Sequence, residues 1–309
     1  MTHSAEPSAL ATPRSEPLRW RAYLELTKPK VVALIVFTAI VGMCLATPGM
    51  VPWSALIFGS VGIALGAASG AAFNHVVDQR IDVLMARTQR RPLAVGSLST
   101  RNAALFATSL SVLSMAILWP LVNALTAFLT LASMVGYSVV YTIYLKRNTP
   151  QNIVIGGAAG AMPPVLGWAA VTGTVDPYAL LLFAIVFVWT PPHFWALAIH
   201  RRDDYARAAI PMLPVTHGIE YTRLHVWLYT ILLAIFTVLP FATQMSGVLY
   251  LVSAVILNLG FIWHAWKLLQ GQDNRQPMRT FTYSIWYLMG IFVALLVDHY
   301  VIAWRVLSL

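Results

Sequence analysis

The sequence predicts an all-α integral membrane protein: nine transmembrane helices, with the N-terminus inside and the C-terminus outside. Three observations predict it. Of the 309 residues, 59% are hydrophobic and only 10% are charged, less than half the roughly 25% charge of a water-soluble domain. Long apolar segments recur along the whole chain, and in lipid a spanning segment must be helical or part of a closed barrel. The segments are too long and too continuous for the alternating strands of about ten residues that build a barrel. Finally, the basic residues sit in alternate connections.

The apolar segments cover 31–47, 52–73, 102–119, 121–144, 152–171, 178–199, 225–243, 246–266 and 281–303. A span needs about 20 residues, and each segment suits that length. The stretch 102–144 holds two spans, with the turn expected at Trp119-Pro120. Pro163-Pro164 and Pro191-Pro192 are expected to interrupt their helices, while Gly156, Gly157 and Gly160 mark close helix packing. Trp119, Trp168 and Trp227 are expected as interfacial anchors. Residues 1–20, rich in Ser, Thr, Pro and Ala, read as a disordered cytoplasmic tail, and 21–309 as the nine-helix domain. The tail lacks the apolar core of a signal peptide. Its Glu6 and Glu16 argue for a bacterial cytoplasmic membrane over a mitochondrial one.

Orientation follows from the positive-inside rule. With the N-terminus inside, the inner segments are the tail, 74–101, 145–151, 200–224 and 267–280, and they hold nineteen of the twenty Lys and Arg residues; only Arg305 falls elsewhere. The net charge of +9 is thus spread in short groups between spans, which excludes the dense basic patch of a nucleic-acid binder. The single Cys44 excludes a disulfide framework.

The inner connections also carry acids. Asn74, Asp78 and Asp82 are spaced i, i+4, i+8 and share one face if the second helix continues through them. Two carboxylates and an amide oxygen suit a hard divalent cation such as Mg2+. The alternative is solvated helix-end charge paired with Arg80 or Arg87. The second acidic segment, His200-Arg201-Arg202-Asp203-Asp204, follows another apolar helix on the same face. Opposed carboxylate clusters without a cation would repel. Arg87, Arg90, Arg91, Lys146, Arg147 and Arg201 surround them, and arginine forks match phosphate oxygens. Acids and bases together point to a Mg2+-bridged diphosphate, with an active site toward the cytoplasm.

Asn74-x-x-x-Asp78-x-x-x-Asp82, followed by Arg87-Thr-Gln-Arg-Arg-Pro-Leu93, resembles the first aspartate motif of the UbiA-type intramembrane prenyltransferases. His200-x-x-Asp203-Asp204 resembles the second, with His200 where Asp is more usual. Thr27-Lys-Pro-Lys-Val31, Thr142 to Gly157, Ala161-Met-Pro-Pro164, Pro191-Pro-His193-Phe-Trp195 and Asp204 to Pro214 resemble the protohaem IX farnesyltransferase family within that superfamily. The resemblance implies a nine-helix fold and transfer of farnesyl from farnesyl diphosphate to a vinyl group of haem b, giving haem O. It also implies Mg2+ as cofactor, membrane lipid as surroundings, and contact with haem A synthase or terminal-oxidase assembly machinery. By motif, Asn74, Asp78, Asp82, Asp203 and Asp204 would be catalytic and hold Mg2+–diphosphate. Lys146, Arg147, Arg201, Arg87 and Arg91 would contact diphosphate.

His193 can ligate haem iron, meet a propionate, or satisfy a helix contact, and His75 beside the first acidic face carries the same alternatives. Two rival functions stand: prenylation of a quinone or chlorophyll precursor, and transport. Acids at helix ends rather than at mid-membrane disfavour the transporter.

Overall fold

The computed structural model describes residues 19–307, and every regular element among them is helical. A short α1 (Arg19–Leu26) meets α2 (Pro29–Leu45) at 50°. There follow α3 (Ala55–Asp82), α4 (Thr100–Leu121), α5 (Ala124–Asn148), α6 (Asn152–Thr172) and α7 (Pro177–His200). The short α8 (Arg202–Arg207) and α9 (Leu213–Thr216) precede α10 (Ile219–Ala242), α11 (Val248–Gln270) and α12 (Gln276–Leu307). Eight of these helices are each long and apolar enough to cross a membrane, and α2 makes a ninth if it is joined to α1. Each expected apolar segment lies on its own helix. The tail expected over 1–20 lies outside the described residues except for Arg19 and Trp20, with which α1 begins.

The helices outrun their apolar segments at the end that carries the acids. The α3 helix continues to Asp82, so Asn74, Asp78 and Asp82 do share one helix. Its extension is roofed by Ala22 and Leu26 of α1 and by Leu93 and Leu98 of the 83–99 loop, which pack together with Ala72, Ala103 and Ala107. The main core lies around α7 and α12, where Leu182, Ile185, Tyr287, Ile291 and Phe292 are fully enclosed.

Three local expectations change. Helix α4 runs through Pro120, and the turn falls at Val122-Asn123, where the Asn123 side chain accepts from the Thr126 N–H at 2.8 Å. A cap that satisfies the next helix outweighs one missing donor in a last turn. Helix α7 passes unbroken through Pro191-Pro192, whereas Pro163-Pro164 open the second half of α6 after Met162. Trp168 is buried and tilted against Tyr178 at 6.4 Å, so it packs internally instead of anchoring at lipid.

Glycine sets the closest helix contact. A Cβ on Gly42 would strike the Pro164 backbone, and one on Gly167 would strike the Ala39 carbonyl, so α2 and α6 touch backbone to backbone. Gly156 lies against the Tyr141 ring and Gly157 against Thr190, but nothing stands within 4 Å of a Cβ on Gly160. Because a backbone cannot yield as a side chain can, Gly167→Ala is expected to destabilise by about 1–3 kcal/mol. Thermal unfolding of the detergent-solubilised protein checks this; an unchanged midpoint would show that α2 and α6 part freely.

Candidate active site

The C-terminal end of α3 presents Asn74, Asp78 and Asp82 on one stripe, all buried. A buried carboxylate needs a charged or hydrogen-bonding partner, and here the partners come from distant segments. The Asp78 Oδ2 accepts from Lys146 Nζ at 2.6 Å and from Asn74 Nδ2 at 2.8 Å. Its other oxygen is buried without a hydrogen-bond partner. The Asn74 Oδ1 accepts from Lys28 Nζ at 2.5 Å, and its amide also donates to Thr142 at 3.3 Å. Both oxygens of Asp82 lie 2.8 Å from Arg91 Nη1. Arg80, a neighbour in sequence, is exposed.

The second acidic segment begins where α7 ends. Arg201 leaves helical geometry (φ −109°, ψ 22°), and α8 restarts at a new angle. Asp204 turns inward, buried between Arg207 and Arg201, whose Nη1 is 3.8 Å away. Asp203 turns outward: its side chain is 84% exposed and faces Arg202 at 3.7 Å. His200 is exposed too, so it does not join Asp204. Arg87 and Arg147 are exposed at the same end, and among the described residues Arg147 has no ion pair.

Lys28 is the site residue that the sequence reading leaves out. It caps the start of α2 in a left-handed conformation, φ 50°, which costs a non-glycine residue about 1 kcal/mol. Pro29 and the bond to Asn74 hold it there. Burial, reinforced by the nearby Arg91 guanidinium, pushes its ammonium down to about 7, while Asp78 pulls the other way. Burial likewise raises the Tyr205 phenol on α8. The signal in the sequence was a lysine immediately ahead of a helix-starting proline at the charged face.

The histidines differ in support. His75 is buried beside Asn74, with both ring nitrogens unpartnered. His193 lies between the Trp189 and Phe281 rings, with centroids at 4.2 and 4.5 Å. Its Nδ1 is 2.7 Å from Ser284 Oγ, and that hydroxyl donates to the Phe281 carbonyl at 2.6 Å. The serine oxygen therefore accepts from Nδ1–H, which leaves the His193 Nε2 lone pair free.

The donor set fits a divalent cation shared with a ligand. Among the described residues no three His, Cys, Asp or Glu side chains converge on one point. Mg2+ seldom uses such cages: it takes one or two carboxylates together with phosphate oxygens and water. The unpartnered Asp78 oxygen supplies such a ligand, and the surrounding lysines and arginines supply phosphate contacts.

Buried acids ringed by bases at one end of an apolar helical bundle are the arrangement expected of an intramembrane transferase of diphosphate-activated substrates. The chain belongs to the UbiA prenyltransferase family, whose sequence pattern matches residues 35–296. The Protoheme IX farnesyltransferase of Marinobacter nauticus is 61% identical over 284 residues, covering 92% of this chain and 94% of that one. A UbiA homolog from Aeropyrum pernix K1 shares the fold with a TM-score of 0.74 at 20% identity, covering 87% of this chain and 98% of its own. A UbiA homolog from Archaeoglobus fulgidus, bound to DMAPP and Mg2+, superposes with a TM-score of 0.59 at 16% identity, covering 89% of this chain and 99% of its own.

Proposed function

We propose that this chain transfers the farnesyl group of farnesyl diphosphate to a vinyl group of haem b in a Mg2+-dependent reaction, yielding haem O and diphosphate. The enzyme class follows from the family and from the 61% identity to a Protoheme IX farnesyltransferase. The observation that carries the site is the buried Asn74–Asp78 pair between Lys28 and Lys146.

Asn74, Asp78, Asp82 and Asp204 would hold Mg2+, which stabilises charge on the leaving diphosphate when bound. Lys28, Lys146, Arg91 and Arg201 stand where diphosphate oxygens gather, with Arg87 and Arg147 at the exposed rim. Breaking the farnesyl C1–O bond sends its electron pair to diphosphate. C1 then bonds the terminal vinyl carbon, and water adds to the inner vinyl carbon with loss of a proton. The apolar bundle limits earlier capture of the allylic cation by bulk water. The farnesyl chain lies among apolar helices while its charged head stays at their ends. His193 offers its Nε2 lone pair to the acceptor, and His75 adjoins the donor head. Asp203 points to solvent and serves at most at the rim.

With nine spans, an inside N-terminus and an outside C-terminus, this face would lie in the bacterial cytoplasm; the distribution of basic residues supports that orientation. Purified protein given haem b, farnesyl diphosphate and Mg2+ is expected to convert the porphyrin to haem O, read by mass analysis. Prenylation of a phenolic acceptor instead would move the chain to the quinone-precursor branch. Chelation with EDTA should cut transfer by roughly 100-fold or more, and added Mg2+ should restore it. Full turnover in EDTA would remove the metal from the mechanism.

A further inference from the structure

Histidines away from the acidic cluster divide into two kinds by what holds each ring. His299 sets Nε2 3.0 Å from the Thr47 carbonyl, and His264 takes the Gln276 amide at Nδ1, 3.2 Å away. In both, the proton resides on Nε2. His225 is the reverse: its Nδ1 lies 2.8 Å from the Tyr221 carbonyl, which can only accept. His217 has Nδ1 2.8 Å from Thr216 Oγ1, whose hydroxyl is directed to the Met212 and Leu213 carbonyls at 3.3 and 3.4 Å. The carbonyl fixes Nδ1–H on His225, and with the Thr216 hydroxyl turned to its two carbonyls His217 carries Nδ1–H as well, so each ring offers an Nε2 lone pair. An oxygen partner on Nδ1 is the support that orients a metal-ligating imidazole.

Tyr221 fixes both ring planes. It stacks on His217 at 5.1 Å and lies 4.0 Å from His225, whose ring meets the edge of the fully buried Trp195 at 6.1 Å. This aromatic ladder starts at the N-terminal end of α10 and leads toward α7, the helix of His193. At its outer end His217 and Tyr221 line an open groove of about 580 Å³, together with Arg202, Gly218, Ile219 and Glu220. Arg202 is anchored there by donation from Nε to the Pro214 carbonyl at 3.1 Å.

Tyr221 separates the two imidazoles, so a bare ion would find only one protein nitrogen. The groove suits a ligand that brings its own metal, needs one axial nitrogen and carries a carboxylate arm. We propose that it is a loading site for iron porphyrin, with His217 Nε2 on the iron and Arg202 on a propionate. Glu220 in the same wall restricts the groove to one anionic arm. This rests on haem b being the acceptor, and it adds a second, outer station from which haem b reaches the buried site.

The test titrates haemin into the purified full-length protein in detergent, followed by the Soret band. His217→Ala is expected to weaken haemin binding by about tenfold or more and to remove the histidine-ligated component of the spectrum. Iron-free protoporphyrin IX should bind wild type and variant alike. The KM for haem b should rise while kcat holds. Thr216→Val, which removes the Nδ1 acceptor and leaves the ligand, should fall between the two. Wild-type affinity and spectrum in His217→Ala would overturn the loading site, as would Zn2+ alone competing fully with haemin through His217. If wild type makes no haem O, the acceptor assignment fails; if it makes haem O while His217→Ala is indistinguishable, the loading site alone fails.

Discussion

Asp78→Asn is expected to abolish haem O formation, with a loss on the order of 1,000-fold or more, while the protein remains inserted in the membrane. Removing one contact that stabilises transition-state charge costs about 100- to 1,000-fold, and Asp78 takes part in more than one. Its Oδ2 anchors Lys146 and orients the Asn74 amide, and its buried Oδ1 is free for a ligand. The substitution also strands the largely buried Lys146 ammonium, and removing one partner of a buried pair costs about 3–5 kcal/mol. Lost activity could therefore reflect lost stability alone. The double variant Asp78→Asn with Lys146→Met separates the two, because it removes both charges. It should recover most of the thermal stability and none of the transfer. Mass analysis of the porphyrin, with thermal unfolding of the same preparations, reads both. Normal turnover by the single variant would dismiss the metal role, and recovered turnover in the double would make the effect purely structural.

The sequence shows some of this site and hides the rest for a physical reason. The i, i+4, i+8 stripe of Asn74, Asp78 and Asp82 is local, so helix periodicity alone places the three on one face. The cations that partner them are not local. Lys28 is 46 residues from Asn74, and Lys146 is 68 from Asp78. Proximity in sequence points to Arg80 or Arg87 as partners, whereas the fold delivers Arg91 across the turn of the 83–99 loop. Hydropathy finds the spans but not where helices stop, because the end of an apolar run marks the edge of lipid. Helix α3 continues past that edge under a roof made by α1 and the loop, and the candidate site sits on this extension. The turn after α4 falls beyond Pro120 for a similar reason: Pro120 is the stronger signal in sequence, but the Asn123 side chain decides where α5 begins.

Asp204→Ala and Asp203→Ala should differ by about 100-fold in transfer rate, as removal of one transition-state contact does. From sequence the two acids are equivalent. The break at Arg201 decides between them, since a restarted helix sends adjacent side chains in directions about 100° apart. Asp204 is carried into the protein between Arg201 and Arg207, and Asp203 is carried to solvent. Asp204→Ala would leave those two arginines without their shared carboxylate and remove an oxygen ligand from the diphosphate end, so transfer should be lost. Asp203→Ala removes an exposed pair with Arg202, a kind worth little in water, and should keep most of the activity. Initial rates at saturating farnesyl diphosphate, with Mg2+ titrated for each variant, read the contrast. A raised Mg2+ requirement should accompany Asp204→Ala only. Equal loss in both variants would mean that α8 rotates to bring Asp203 inward during turnover, and burial would then not tell which acid binds the metal.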